Sequence, residues 1–208
     1  MEKFFALPIE KQNTIIDAAL KCFANNGYKK TSVSDIASSA GISKAMVFHY
    51  FGTKKALYLY LIDSCSKAIM DEIYKKFDNT ITDFFDRIMI SANIKVSVMK
   101  KHPAIFLFLN SVYFETDEEV KGDMQSIFEK AEGFRNKIAL DGIDTSKFKA
   151  GIDPKLVMKM LVWLAEGYTS ELSNKINVET NFDEFFKEYY ECMDLIKNNF
   201  YKEEYIKK

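Results

Sequence analysis

The side chains best equipped for chemistry in this sequence gather between Thr31 and Lys55. Lys44, Ala45, Met46, His49 and Tyr50 share the outer side of a short helical stretch. Val33, Ile36, Ala37, Ala40, Ile42, Val47, Phe51 and Leu57 are spaced to face inward. Ammonium, imidazole, phenol, thioether and methyl groups on one helix suit the donor, acceptor and methyl edges that a DNA major groove presents. Thr31, Ser32, Tyr50, Lys54 and Lys55 fall at helix starts or beside the turn. There, hydroxyls, amides and ammonium groups hold phosphates, which fixes register rather than sequence choice.

Other chemistries find less support. His102, in Lys100-Lys-His-Pro103, sits at a helix junction and reads as a capping or surface group. Cys22, Cys65 and Cys192 are odd in number and far apart, which fits neither a disulfide framework nor a paired metal motif, so they read as buried thiols. No Glu-x-x-His or Cys-x-x-Cys pair marks a metal site, and no cofactor is expected. Without a motif that pairs a nucleophile with a base, or two carboxylates, the expectation is that the protein is not an enzyme. Net charge is −1, but residues 1–58 hold eight lysines against four acids, whereas the remainder holds 21 basic against 26 acidic residues. Positive charge collects at the end that carries the candidate groups, where a polyanion can dock.

The elements that must position these groups are helices. Only 3 prolines and 8 glycines interrupt 208 residues, 48% of them hydrophobic, so an all-α fold is expected. A first helix runs from about Ile9 to Asn26 and ends at Gly27. Ser32-Val-Ser-Asp35 is a capping box opening a short second helix, which stops at Ala40-Gly41. Ser43 caps a third helix, Lys44 to Phe51. Two short helices across a tight glycine turn make a helix-turn-helix. Thr53 caps a long fourth helix from Lys54 to about Phe77. Further helices are predicted at about 81–101, 103–114, 118–140, 154–176 and 182–201.

The segment Thr31-Ser-Val-Ser-Asp-Ile-Ala-Ser-Ser-Ala-Gly-Ile-Ser-Lys-Ala-Met-Val-Phe-His-Tyr-Phe-Gly-Thr-Lys-Lys-Ala-Leu57, together with Ile16 to Tyr28 before it, closely resembles the DNA-binding signature of TetR-family regulators. The resemblance covers about a quarter of the chain. It implies a three-helix DNA-binding head over residues 1–53 and a C-terminal helical bundle over 54–208 for effector binding and dimerisation. It also implies a homodimer on a palindromic operator of double-stranded DNA, released as a repressor by a small apolar or aromatic effector. A partner-controlled regulator or activator without such a ligand is the alternative. The DNA-contacting set carried by the pattern is Thr31, Ser32, Ser43, Lys44, Ala45, Met46, Phe48, His49, Tyr50, Lys54 and Lys55. Phe48 stands where many members have tyrosine, which removes one phosphate hydrogen bond, and Ala45 replaces a common glycine.

Beyond the head, aromatic residues are dense enough to line an apolar cavity. Phe106, Asn110, Tyr113, Phe128, Trp163 and Glu166 are the expected effector contacts. The last two helices carry apolar residues around much of their circumference, which calls for more than one partner. Leu164, Gly167, Tyr168, Leu172, Tyr189, Met193 and Ile196 are therefore the expected dimer interface. No apolar run reaches the roughly 20 residues of a membrane span, and the opening Met1-Glu2-Lys3 lacks the pattern of a signal peptide, so the expected location is cytoplasmic.

Overall fold

The residues between the two helix-breaking glycines, Gly27 and Gly52, determine how the first part of the chain is laid out. In a computed structural model, which describes residues 1–172, 181, 184 and 186–206, the helices are α1 (Glu2–Phe5), α2 (Ile9–Lys30), α3 (Val33–Ser39), α4 (Lys44–Phe51), α5 (Lys54–Lys76), α6 (Phe84–Lys101), α7 (Pro103–Tyr113), α8 (Glu118–Leu140), α9 (Pro154–Leu172) and α10 (Lys187–Phe200). Among the described residues there is no strand, and a single antiparallel bridge joins Phe148 to Tyr201. The fold is all-α, as the composition led us to expect.

The chain divides into two compact units. The first comprises Met1–Ile69 and Lys101–Lys130, the second Met70–Lys100 and Ala131–Lys208. In the first unit, Ile15, Leu20, Phe23, Ile36, Leu57 and Leu61 are buried around an aromatic centre. Phe23 meets Tyr58 at 4.8 Å between ring centroids, and Tyr58 meets Phe108 of α7 at 5.5 Å. Edge-to-face rings at such distances add to their burial. The sequence reading missed α1. Its Phe4 is fully buried against Phe51 at 4.8 Å, with Tyr50 and Tyr60 about it.

Gly27 does not end α2, as predicted, but kinks it. The residue adopts φ 69°, ψ 178°, and the helix resumes through Lys30. A glycine takes this left-handed φ without steric cost. The break frees the amide of Tyr28, which donates to a carboxylate oxygen of Glu115 at 2.7 Å. The other oxygen of Glu115 accepts from the amides of Thr116 and Asp117 at 3.0 and 2.9 Å, ahead of α8. One carboxylate thus serves both the kink and the chain leading into α8.

In the second unit, Phe84, Phe85, Phe148 and Tyr201 form the buried centre with Ile88, Ala139, Val157, Leu161 and Met193. Backbone bonds on either side of the bridge, Lys149 N to Phe200 O and Lys202 N to Lys147 O, both 2.9 Å, fasten the end of α10 to the loop before α9. Charged groups inside this unit are mostly satisfied. The guanidinium of buried Arg87 donates to the carbonyls of Ile138 at 2.8 Å and Ile81 at 2.6 Å, and Lys147 pairs with Asp83 at 2.8 Å.

Candidate nucleic-acid interface

The turn between α3 and α4 is built from local signals. The hydroxyl of Ser32 accepts from the amide of Asp35 at 3.1 Å, and the amide of Ser32 donates to the Asp35 carboxylate at 3.2 Å. Donation to the Asp35 carboxylate, from the Ser32 hydroxyl and then from the Ser32 amide, holds this carboxyl below its ordinary range. Gly41 at φ 66° turns the chain, and the hydroxyl of Ser43 accepts from the amide of Met46 at 3.3 Å to start α4. Gly52 ends α4 at φ 78°, and Thr53 caps α5 by accepting from the amide of Ala56 at 3.0 Å.

On α4 these caps leave Lys44, Ala45, Phe48 and His49 exposed beside Ser43, with Met46 partly exposed. Phe48 is 42% exposed. Val47, Tyr50 and Phe51 point into the core. Ser32 is exposed at the start of α3, just after exposed Lys29 and Lys30.

Three of the expected phosphate-holding groups have other employment. Thr31 is 1% exposed, and its hydroxyl lies within bonding distance of the carbonyls of Gly27 at 2.7 Å and Cys22 at 3.0 Å, so it closes the end of α2. Tyr50 is 4% exposed and packs on Phe4. The ammonium of Lys54 donates to the carbonyls of Tyr28 at 2.9 Å and Thr31 at 3.2 Å and sits 4.2 Å from the centroid of the Tyr28 ring. It caps the last turn of α2, whose carbonyls lack helical partners. Lys55 is partly exposed and pairs with Asp123 of α8 at 2.7 Å. Polarity marked these residues as able to bond, but the partners of Tyr50, Lys54 and Lys55 lie far away in sequence.

The expected effector residues are not brought together by either unit alone. Phe106, Asn110, Tyr113 and Phe128 belong to the first unit, Trp163 and Glu166 to the second. Phe106 is buried, the side-chain oxygen of Asn110 is enclosed without an acceptor-to-donor partner, and Tyr113 and Phe128 are exposed. Trp163 is 55% exposed, with the ammonium of Lys159 5.0 Å from its ring; Glu166 is half-buried. A cleft of about 630 Å³ in the first unit is lined instead by α2, from Asn13 to Leu20, and by Lys101 to Ile105. His102 stands in the N-cap position of α7 without a side-chain cap bond. Only Cys65 of the three thiols is fully buried, and burial pushes its pKa up to about 12.

The expected dimer residues also separate. Met193 is 1% exposed and belongs to the core, and Tyr189 and Ile196 pack against it. Leu164 and Tyr168 are half-buried and Gly167 is exposed, while the side chain of Leu172 lies outside the described residues. What the reading missed is an apolar stripe on α9, Leu156, Met160 and Trp163, all exposed, with Leu195 exposed on α10. Its spacing of four and three residues was the available signal.

The sequence model described as bacterial regulatory proteins, tetR family, matches residues 15–61, the span from the middle of α2 into α5. The fatty acid metabolism regulator protein of Bacillus subtilis (strain 168) is 27% identical over 159 residues, 73% of this chain and 77% of its own. Residues 15–61 thus carry the DNA-binding segment of TetR-family transcriptional regulators. Among TetR-like folds, the fatty acid degradation regulator FadR of Bacillus halodurans superposes with a TM-score of 0.70 at 18% identity, over 87% of this chain and 96% of its own. FadR of Bacillus subtilis in complex with stearoyl-CoA superposes with a TM-score of 0.66 at 18% identity, over the same shares. These likenesses establish the TetR-type fold over nearly the whole chain. No helix among the described residues is long and apolar enough to cross a membrane.

Proposed function

We propose that this chain is a ligand-responsive repressor that binds a palindromic operator as a homodimer in the cytoplasm, with residues 1–53 as its DNA-binding head and 54–208 as its effector-binding and dimerisation part. The observation that carries this reading is the outer face of α4, where Ser43, Lys44, Ala45, Met46, Phe48 and His49 stand clear on a helix whose opposite side is locked into the core. In this reading Lys44 and His49 meet base edges or phosphates, Phe48 and Ala45 meet thymine methyls, and Ser32 and Ser43 donate to phosphates. Thr31, Tyr50 and Lys54 hold the helix at its angle instead of touching DNA.

The α9 stripe supports the homodimer. Leu156, Met160, Trp163 and exposed Gly167 lie along one side of the helix, and a Cβ placed on Gly167 would meet nothing within 4 Å, so a second backbone can come close. Exposed apolar faces of this kind mark interfaces. An effector with an apolar body is supported by the fatty-acid regulators among the relatives and by the one bound to stearoyl-CoA.

Electrophoretic mobility of DNA from the promoter of the protein's own gene tests the first half of the reading: a retarded band at low salt is expected, lost in the double variant Lys44→Ala/His49→Ala. An unshifted promoter with the wild-type protein would sink it. Adding fatty acids or acyl-CoA thioesters to the retarded complex tests the second half, with release of free DNA expected.

A further inference from the structure

We propose that Lys95 of α6 and Arg135 of α8 form the binding site for the anionic group of the regulator's ligand, a carboxylate or phosphate oxyanion on an apolar body. This rests on the ligand-responsive reading above. The Nε of Arg135 is fully enclosed and meets no acceptor. Lys95 and Arg135 are both half-buried, and the charge of Arg135 disfavours the charged form of Lys95. Neither forms an ion pair or a hydrogen bond among the described residues.

The other cations that the second unit holds partly away from water are satisfied. Arg87 reaches two carbonyls, Lys147 pairs with Asp83, and Lys197 reaches Asp86 at 3.2 Å and Asp83 at 3.9 Å. Two unpaired cations in one apolar neighbourhood are therefore an exception in a region where acids outnumber bases, and acids to pair them were abundant. Burial, and next the charge of Arg135, lower the Lys95 ammonium to a pKa of about 8. Enclosing like charges without a counter-ion costs stability. A bound oxyanion removes that cost: the guanidinium offers a planar fork of N–H donors and the ammonium a second, rotatable donor. Ile94 and Val98 on α6 and Ile138 on α8 are buried along the same helices, and Phe134 is half-buried beside Arg135 in sequence, so the surroundings of the two cations are apolar.

The test uses the full chain, with laurate, lauroyl-CoA, dodecanol and inorganic phosphate as probes, followed by calorimetric titration and thermal melting of wild type, Lys95→Met and Arg135→Met. The wild type is expected to bind laurate or lauroyl-CoA at least about tenfold tighter than the uncharged alcohol, and each variant to lose about tenfold or more of that affinity while holding the alcohol unchanged. Both variants are expected to melt no lower than wild type. Preference for laurate assigns the site to a carboxylate; preference for lauroyl-CoA, with stabilisation by phosphate alone, assigns it to a phosphate. Variants that keep full affinity for the anions, or a wild type stabilised by none of the charged probes, overturn the proposal. Operator DNA separates the two readings: anion binding lost in the variants but without effect on DNA refutes ligand-released repression and leaves the anion site standing. Release of DNA by dodecanol alone does the reverse.

Discussion

The end of α2 and the middle of α6 each hold a lysine away from water, and the two are treated in opposite ways. Lys54 has two carbonyl acceptors and the face of Tyr28, whereas Lys95 has only another cation for company. The first arrangement is complete as it stands and stiffens the head. The second is incomplete and costs the unliganded protein stability, which a binding site can recover from its ligand. A polar residue type alone does not distinguish a structural group from a binding group. The inventory of its partners does.

Substituting the lysines one at a time gives four ways to break or sharpen this contrast. Lys54→Met leaves the carbonyls of Tyr28 and Thr31 without their donor, and should destabilise the protein by about 2–3 kcal/mol. Its melting temperature should fall by roughly 5–10 °C. The salt dependence of DNA binding, measured below the melt, should stay unchanged; a slope reduced by about one would return Lys54 to the phosphate contacts.

Lys95→Met should act in the opposite direction. Near pH 7 the wild type bears the cost of a charged Lys95, at most about 3 kcal/mol for a pKa lowered to about 8. Because the folded form gives up this proton at lower pH than the unfolded form, that cost fades as pH rises from about 8 towards 10. Chemical denaturation at pH 7 and pH 10 should therefore show the variant more stable at the lower pH and the gap narrowing at the higher. A gap that widens with pH would contradict the burial of this charge.

Lys44→Ala removes an exposed ammonium and should leave the melting temperature alone. Operator affinity should fall by up to about tenfold, with the log–log salt slope shallower by about one unit. Lys55→Ala is expected to have the smallest effect. Its pair with Asp123 is a third to a half exposed, so the loss should stay below about 1 kcal/mol in the same denaturation assay.

The head was readable because its signals are local. Ser32 and Asp35 are three residues apart, Gly41 and Ser43 two, and each sits in the structure where its type requires. The face of α4 followed from helical spacing. What could not be read depended on partners distant in sequence. Lys54 bonds carbonyls 23 and 26 residues back, and Glu115 bonds an amide 87 residues away. The four-residue α1 is too short to announce itself and forms because Phe4 finds a pocket beside Phe51. In the bundle, aromatic content does not distinguish Phe106, buried, from Trp163, exposed. The α9 stripe was legible in spacing but was masked by apolar residues on the other sides of the helix.

The kink at Gly27 carries a constraint on how this sequence can drift. Any side chain there would face a left-handed backbone, and its Cβ would come within 3.3 Å of the same Glu115 oxygen that holds the Tyr28 amide. Positions 27 and 115 are thus coupled: a side chain at 27 pushes the Glu115 carboxylate aside by a few tenths of an ångström and loosens its bond to the Tyr28 amide. Two sites nearly ninety residues apart in the chain are thereby coupled in what they can accept.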